Sequence, residues 1–412
     1  MSMAITIFPF FSPLTPEDRR NPILDNLRIN GVELLQPEDY SKRTSHISPS
    51  KQVYILVGSG GTENLIESFI EANSLKSPIL LLSFSFNNSL PAAMEVRAAL
   101  EQKGVESRII HSSLEDLETQ FEKRANFASI IAIIGRSKLG IIGEPSHWLI
   151  ASRVSDAAVK AQWGLTIEHY PMEILLSRID DDLDDSTKKR LSAFKKEAIC
   201  TDIAENEIEK AAKVAHQLAK IAETEVLDAI TVECFDLLMQ THISGCYALS
   251  TLNERDSFAA GCEGDIPSTF TMLLAKLLLG SPGFMANVID VDESLNEATF
   301  AHCTVPTSLT NSYRIMTHFE TGLSLGLRGK FDPKRITVVK VSGDDLTRYW
   351  VSGGEIIKNL ESETGCRTQI RAKMDEPVTY FLRGSLANHH IVIPGDHVEE
   401  VESFFSFALE GW

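Results

Sequence analysis

The feature that most constrains this chain is the alternation of short apolar runs with helical stretches over its first 165 or so residues. Val53–Ser59 (VYILVGS), Ile79–Ser85 (ILLLSFS), Ser107–His111 (SRIIH) and Ser129–Gly135 (SIIAIIG) read as strands. Most of these runs are continuously apolar rather than alternating, the pattern of strands covered on both faces. Helical patterns fall between them, such as AAMEVRAALEQKG, which ends on a glycine C-cap at Gly104. Strand–helix alternation of this kind predicts a parallel, doubly wound α/β sheet. The loop Gly58–Thr62 (GSGGT) fits neither GxGxxG nor the P-loop spacing and reads as a plain strand-to-helix turn.

A second block begins near Leu165. The acidic run Asp180, Asp181, Asp182, Asp184, Asp185 reads as a solvated loop and helix start. Apolar residues then recur at helical spacing over Glu205–Glu223, which places His216 inside an amphipathic helix in a structural role. The segment ITVECFD is strand-like, and Ser268–Gly280 (STFTMLLAKLLLG) reads as a buried helix with a glycine stop. The last hundred residues change character. TFAHCTVP, RITVVKVSG, PVTYFLRG and HHIVIPGD are short β runs between Gly, Asp and Pro, closed by a helix from Asp396 to about Leu409. The expected fold class is α/β: two doubly wound α/β domains (1–165 and 166–298) followed by a β-rich, barrel-like C-terminal domain (299–412).

At 412 residues the chain exceeds one ordinary domain, and 43% hydrophobic with 23% charged residues is globular composition. Acidic residues outnumber basic ones 57 to 39, for a formal charge of −18, which argues against nucleic acid as a partner. No apolar run is long enough to span a bilayer, and Pro9 and Pro13 interrupt the opening segment, which lacks the basic start of a signal peptide. A cytoplasmic location is expected. The six cysteines are scattered without a CxxC pair and read as buried free thiols.

Chemistry concentrates between Gly261 and Pro306 and again near the C-terminus. GCEGDIPST sets Glu263 and Asp265 beside glycines just before a helix, on a tight loop. SPGFMANVIDVDESLNEATFAHCTVP follows, with Asn287, Asp290, Asp292, His302 and Cys303; GSLANHHIVIPGDH supplies Asn388, His389 and His390. Carboxylates and imidazoles in this mixture suit Mn²⁺, Mg²⁺ or a related first-row metal better than a thiolate site would. Asp290 and Asp292, one residue apart, equally fit the wet face of a strand. Trp148, in GEPSHWL, offers an indole face to a sugar or to its own core. His318 faces a pocket or ends a strand. Arg314, Arg328, Arg367 and Arg383 suit an anionic substituent or ordinary ion pairs.

The order and wording of these segments resemble the L-fucose isomerase and L-arabinose isomerase superfamily, most closely over Cys246–His397. The resemblance implies a metal-dependent aldose–ketose isomerase acting on a monosaccharide or modified, anionic sugar through a cis-enediol. It implies Mn²⁺ (or Mg²⁺ or Co²⁺) as cofactor and a homotrimer or homohexamer as assembly. It places Glu263, Asn287 and His389 as metal ligands and Glu263, Asp265 and His302 as catalytic groups. Trp148, His318, Asn388 and His390 are the expected substrate contacts. Asn287, in Met285-Ala286-Asn287-Val288, stands where the fucose enzymes have a carboxylate. An amide can still offer an oxygen to a metal but is no general base at neutral pH. A non-catalytic sugar-binding relative, or a lyase or epimerase on the same scaffold, are therefore the alternatives.

Overall fold

The computed structural model describes residues 5–28, 32–35, 53–75, 79–179, 181–332 and 334–410. Its first sheet contains β1 (Ile5–Phe10), β2 (Val32–Leu34), β3 (Val53–Val57), β4 (Ile79–Ser83) and β5 (Ser107–His111), all parallel in the order β2-β1-β3-β4-β5. The apolar strands are explained by two cores, one on each face. Val53, Ile55, Val57, Ile79 and Leu81 pack with α2 (Glu63–Asn73) and α3 (Ser89–Gln102), labelled after α1 (Glu17–Asn26). Tyr54, Leu56, Leu80 and Leu82 turn the other way, onto Ile23 and Leu27 and onto Leu117 and Phe121 of α4 (Leu114–Ile134). Strand alternation thus feeds both cores. Pro9 of β1 lies beyond the residues paired with β2, where its missing N–H costs no ladder bond on that side.

One expected strand is a helix. Ser129–Gly135 does not form a strand; Ser129–Ile134 is the last stretch of α4, with Phe127, Ile130 and Ile134 buried at helical spacing. A five-residue apolar run has no period of its own, and here the preceding helix continues through it. The next strand is β6 (Lys138–Ile142), followed by β7 (Thr166–Tyr170), the two-residue β8 (Cys200–Thr201), β9 (Ala229–Val232) and β10 (Ala259–Cys262). All but β8 form a second parallel sheet in the order β10-β9-β6-β7. The Glu205–Thr224 helix matches its sequence pattern, with His216 buried and its Nδ1 3.1 Å from Thr187 Oγ1. Asp184 caps the helix Asp185–Glu197 through Thr187 N; Asp180 of the acidic run lies outside the described residues.

The remaining strands are β11 (Phe284–Asp292), β12 (Glu297–His302), β13 (Ser312–Met316), β14 (Gly326–Lys330), β15 (Arg335–Ser342), β16 (Arg348–Leu360), β17 (Thr368–Met374) and β18 (His390–Pro394). Six close an antiparallel barrel, β11-β12-β17-β16-β15-β18, while β13 pairs with β14 on one side and β8 on the other. The fold class expected from sequence is therefore present: two parallel α/β sheets and a C-terminal antiparallel barrel. The run PVTYFLRG is not a strand but carries the short helix Thr379–Arg383. The chain divides into two compact units, residues 1–131 with 403–412, and residues 132–402. Among the described residues no helix is long and apolar enough to cross a membrane.

Candidate metal and sugar site

The site begins where β10 ends. Gly261 is packed so closely that a Cβ there would lie 1.9 Å from Thr269 Oγ1, and one at Gly264 would lie 2.6 Å from Pro145 Cα. Between them Glu263 adopts φ +61°, the left-handed region that a non-glycine residue rarely takes. The turn is held by three main-chain bonds: Ser146 N to Glu263 O (2.9 Å), Gly264 N to Val232 O (3.0 Å) and Asp265 N to Cys262 O (3.1 Å). In an extended strand consecutive side chains point to opposite faces. Left-handed backbone at Glu263 instead brings its carboxylate to the same cavity wall as Cys262. A strained residue in such a place is a familiar mark of function. Asp265 then caps the helix Ile266–Leu279 by accepting from Ser268 N (2.9 Å), with Pro267 in the first turn.

Asp265 and Glu263 end in different environments. Asp265 is wholly buried; its Oδ2 is 2.9 Å from His389 Nδ1 and 4.0 Å from Lys340 Nζ. Burial works to raise the Asp265 carboxyl, but Lys340, His389 and the Ser268 N–H outweigh it and hold it well below its ordinary range. Glu263 is 8% exposed, with Oε2 accepting from the Trp148 indole N–H (2.7 Å) and Oε1 3.5 Å from His389 Nε2. Burial again opposes ionisation, and His389, Trp148 and His302 together keep this carboxyl below its ordinary value. His389 is pushed up to about 9: burial lowers it, but the two carboxylates prevail.

His389 is the test of whether a metal fits. Its Nδ1–H is committed to the Asp265 carboxylate, which fixes the tautomer and leaves the Nε2 lone pair facing Glu263. That Nε2 is buried and has no hydrogen-bond partner. A carboxylate–histidine pair with its outer nitrogen unspent beside a second carboxylate is the arrangement that supports a metal ligand. Glu263 and His389 therefore fit a divalent cation, and without one a proton takes its place on His389.

The open face of this group is a small cavity of about 30 Å³, with Glu263, Asn287, His302, His318 and Glu320 in its walls. Five of the six cysteines also line it: Cys234, Cys246, Cys262, Cys303 and Cys366. His302, at the end of β12, has Nδ1 2.8 Å from Thr304 Oγ1, and its ring centroid lies 5.7 Å from that of His389. Burial, with the nearby positive charge of His389, pushes His302 down to about 4, so it is neutral at pH 7. Phe235 bridges two expected contacts, with Trp148 at 5.0 Å and His318 at 5.9 Å between ring centroids.

The expected site residues divide into two groups. Glu263, Asp265, His302, His389, Asn287, Trp148 and His318 lie at or directly behind this cavity. Asn388 reaches it indirectly, its side-chain N–H donating to Asn287 Oδ1. His390 does not join them. Being one residue on from His389 at the start of β18, it faces an aromatic cluster with Trp350, Tyr380 and Phe381. There its Nδ1 is 2.7 Å from Asn388 O and its Nε2 3.2 Å from the Tyr380 hydroxyl, and burial pushes it down to about 3. Asp290 is exposed and ion-paired with Arg371 (3.4 Å), which leaves it on the wet face of β11. Arg314, Arg328, Arg367 and Arg383 are engaged by Asp202, Glu363, Glu363 and Glu293. Sequence reasoning missed Glu320, two residues beyond His318, and the convergence of the thiols, whose spacings carry no pattern.

No family model matches the chain. It is 20% identical over 294 residues to proteins named sulfoquinovose isomerase from Priestia aryabhattai and Priestia megaterium, a match covering 69% of this chain and 66% of each relative. A protein of the same name from Alkalicoccus urumqiensis is 21% identical over 167 residues, 40% of this chain and 38% of the relative. The chain thus spans just under two thirds of the length of the Priestia relatives. What it is similar to are sugar isomerases.

Proposed function

We propose that the protein is a divalent-metal-dependent aldose–ketose isomerase. The observation that carries this reading is the buried Asp265–His389–Glu263 line, with an unspent imidazole nitrogen beside a carboxylate on a cavity wall. The similarity to sulfoquinovose isomerases supports it, and brings a sulfonated hexose into the set of candidate substrates. No Lys or Arg is among the described residues lining the cavity, so neutral sugars belong in that set equally.

A bound divalent cation, Mn²⁺ or a relative, would lend Lewis acidity to the sugar carbonyl. Glu263 and His389 would hold it. Moving the proton between C1 and C2 falls to the chain's own groups. Glu263, held ionised by its neighbours, can accept a proton from the carbon beside the carbonyl. Where the cation is held by Glu263 and His389 alone, His302, neutral at pH 7, can relay it across the cis-enediol. Asp265 is no carrier: it is wholly buried behind His389, and its role is to orient that ring. Incubation with Mn²⁺ and a panel of pentoses, hexoses, deoxy-sugars and sulfonated sugars in D₂O tests the reading, with NMR reporting product and deuterium at C1 or C2. Absence of exchange with every sugar would exclude isomerisation.

The indole N–H of Trp148 keeps one oxygen of Glu263 supplied with a donor. Trp148→Phe keeps the ring and removes that donor, so the Glu263 carboxyl should rise and the acid limb of the pH–rate profile should move to higher pH. A loss of roughly tenfold in kcat is expected for one hydrogen bond to a charged group. A lower kcat with an unmoved acid limb would mean that Trp148 acts only by packing.

A second reading rests on Asn287, whose amide cannot carry a proton and whose oxygen is already engaged by Asn388. If the amide has silenced the chemistry, the protein binds sugars without converting them. Asn287→Asp adds a carboxylate to the cavity wall, and isomerisation that is raised or newly present in this variant is the expected result. Unchanged high turnover would place Asn287 outside the proton path.

A further inference from the structure

Cys262 precedes Glu263 at the strand end, and the left-handed turn sets both on one wall. Cys262 Sγ, a Glu263 carboxylate oxygen and a His302 ring nitrogen all lie within 4.8 Å of one another, and all three residues are buried. The Thr304 hydroxyl occupies Nδ1 of His302, leaving its other nitrogen for the cavity. The Cys262 thiol donates to Cys234 Sγ at 2.9 Å, so a second sulfur stands directly behind the first. The oxygen donors close to this group are few: Glu320 also lines the cavity but is not one of the three converging residues. Asn287 supplies an amide where a second acid would make the site hard, and Asp265 is spent on His389 and the helix N-terminus.

We infer that Cys262, Glu263 and His302 form a mixed sulfur, oxygen and nitrogen site that selects a thiophilic divalent cation, Zn²⁺ or Co²⁺, over Mn²⁺ or Mg²⁺. This rests on the reading that the cavity binds a divalent cation, and deepens it by naming the metal class and a thiolate ligand. Zinc takes such mixed sets in tetrahedral geometry, with sulfur at about 2.3 Å and nitrogen or oxygen at about 2.0–2.2 Å, which puts ligand atoms roughly 3.3–3.8 Å apart. From separations within 4.8 Å, each pair closes by at most about 1.5 Å, within the reach of side-chain rotation. Coordination replaces the S–H bond of Cys262 with a sulfur–metal bond and releases the proton to solvent. The Cys234 thiol, freed as an acceptor, can then donate to the new thiolate, the kind of support that outer groups give to metal ligands. His389 Nε2, beside the same carboxylate, can complete the set as a fourth ligand.

The test is a Co²⁺ titration of the full-length protein, stripped of metal and kept reduced, followed by absorption. Wild type should develop a sulfur-to-cobalt charge-transfer band together with intense tetrahedral d–d bands. Cys262→Ser should lose the charge-transfer band and bind Co²⁺ at least about tenfold more weakly, whereas Cys246→Ser should keep both. X-ray absorption on Zn²⁺-loaded wild type needs no variant to fold, and should show one sulfur at about 2.3 Å. A shell of oxygen and nitrogen alone, with tight binding that survives Cys262→Ser, would overturn the thiolate site while leaving the Glu263–His389 cation site standing. A band lost in Cys246→Ser but kept in Cys262→Ser would also overturn it. Failure to bind Co²⁺, Zn²⁺ or Mn²⁺ would overturn both.

Discussion

Glu263→Gln should lose tight binding of a divalent cation and about three orders of magnitude in isomerase turnover, the range associated with a positioned acid–base group. The substitution keeps size and one carbonyl oxygen, so the turn at φ +61° and its main-chain bonds to Ser146 and Val232 are undisturbed. What changes is charge. The Glu263 carboxylate faces His389 Nε2 directly, at 3.5 Å, and also receives the Trp148 N–H at 2.7 Å. An amide oxygen can replace one of these acceptor roles but cannot neutralise a cation or take up a proton. Calorimetric titration and the deuterium-exchange assay read the two losses separately. Wild-type affinity and rate in this variant would remove Glu263 from the site and with it the basis of the isomerase reading. Retained affinity with lost turnover would keep the cation site and assign Glu263 to the proton transfer alone.

Much of the fold was legible because burial on both faces leaves a plain mark: residues 53–57 and 79–82 had to be apolar throughout, since alternate side chains enter different cores. The Ser268–Gly280 helix was legible from its glycine stop, and Gly280 does take φ +62°. Ser129–Gly135 misled because a short apolar run is compatible with a strand or with the end of a buried helix, and only the preceding turns of α4 decide. PVTYFLRG misled for a related reason: aromatic residues favour strands in general, while here Tyr380 and Phe381 pack against Trp350 and His390 from a short helix. Glu263 and His389 could be paired through the resemblance of their segments to a family, since nothing local joins residues 126 positions apart. The direction of each side chain was not legible. His389 and His390 are adjacent and face opposite ways, and which one meets the carboxylates depends on the register of β18 against β11, with Ala286 opposite His390. The thiols show the same limit from the other side, as five scattered cysteines acquire a common environment only in three dimensions.

Asp265→Asn should be the most destabilising isosteric change in the site, at about 3–5 kcal/mol, because it removes the counter-charge from a buried network rather than a contact from the surface. Lys340 is 1% exposed and His389 likewise, and the carboxylate 4.0 Å and 2.9 Å away is what lets both exist as cations there. Burial depresses the Lys340 ammonium already, with Asp265 opposing it, so the neutral amide should drive Lys340 further down. The sign of the pH dependence follows from the two shifts. Asp265 is held below its ordinary 3.8, so its contribution is present above that pH and fades as acid approaches the lower folded value. His389 is raised from 6.5 to about 9, so in the metal-free protein its contribution is full below 6.5 and lost as pH rises through about 9. Thermal melts of metal-free protein across both limbs should therefore show a stability plateau between these ranges in wild type. In Asp265→Asn the plateau should be lowered and the alkaline fall reduced, because His389 no longer has a carboxylate on Nδ1 to raise it. Bound cation should remove the alkaline fall from wild type too, since His389 must then be neutral to offer Nε2. A wild-type alkaline limb that is indifferent to metal would separate His389 from the cation and leave Asp265 with a purely structural part.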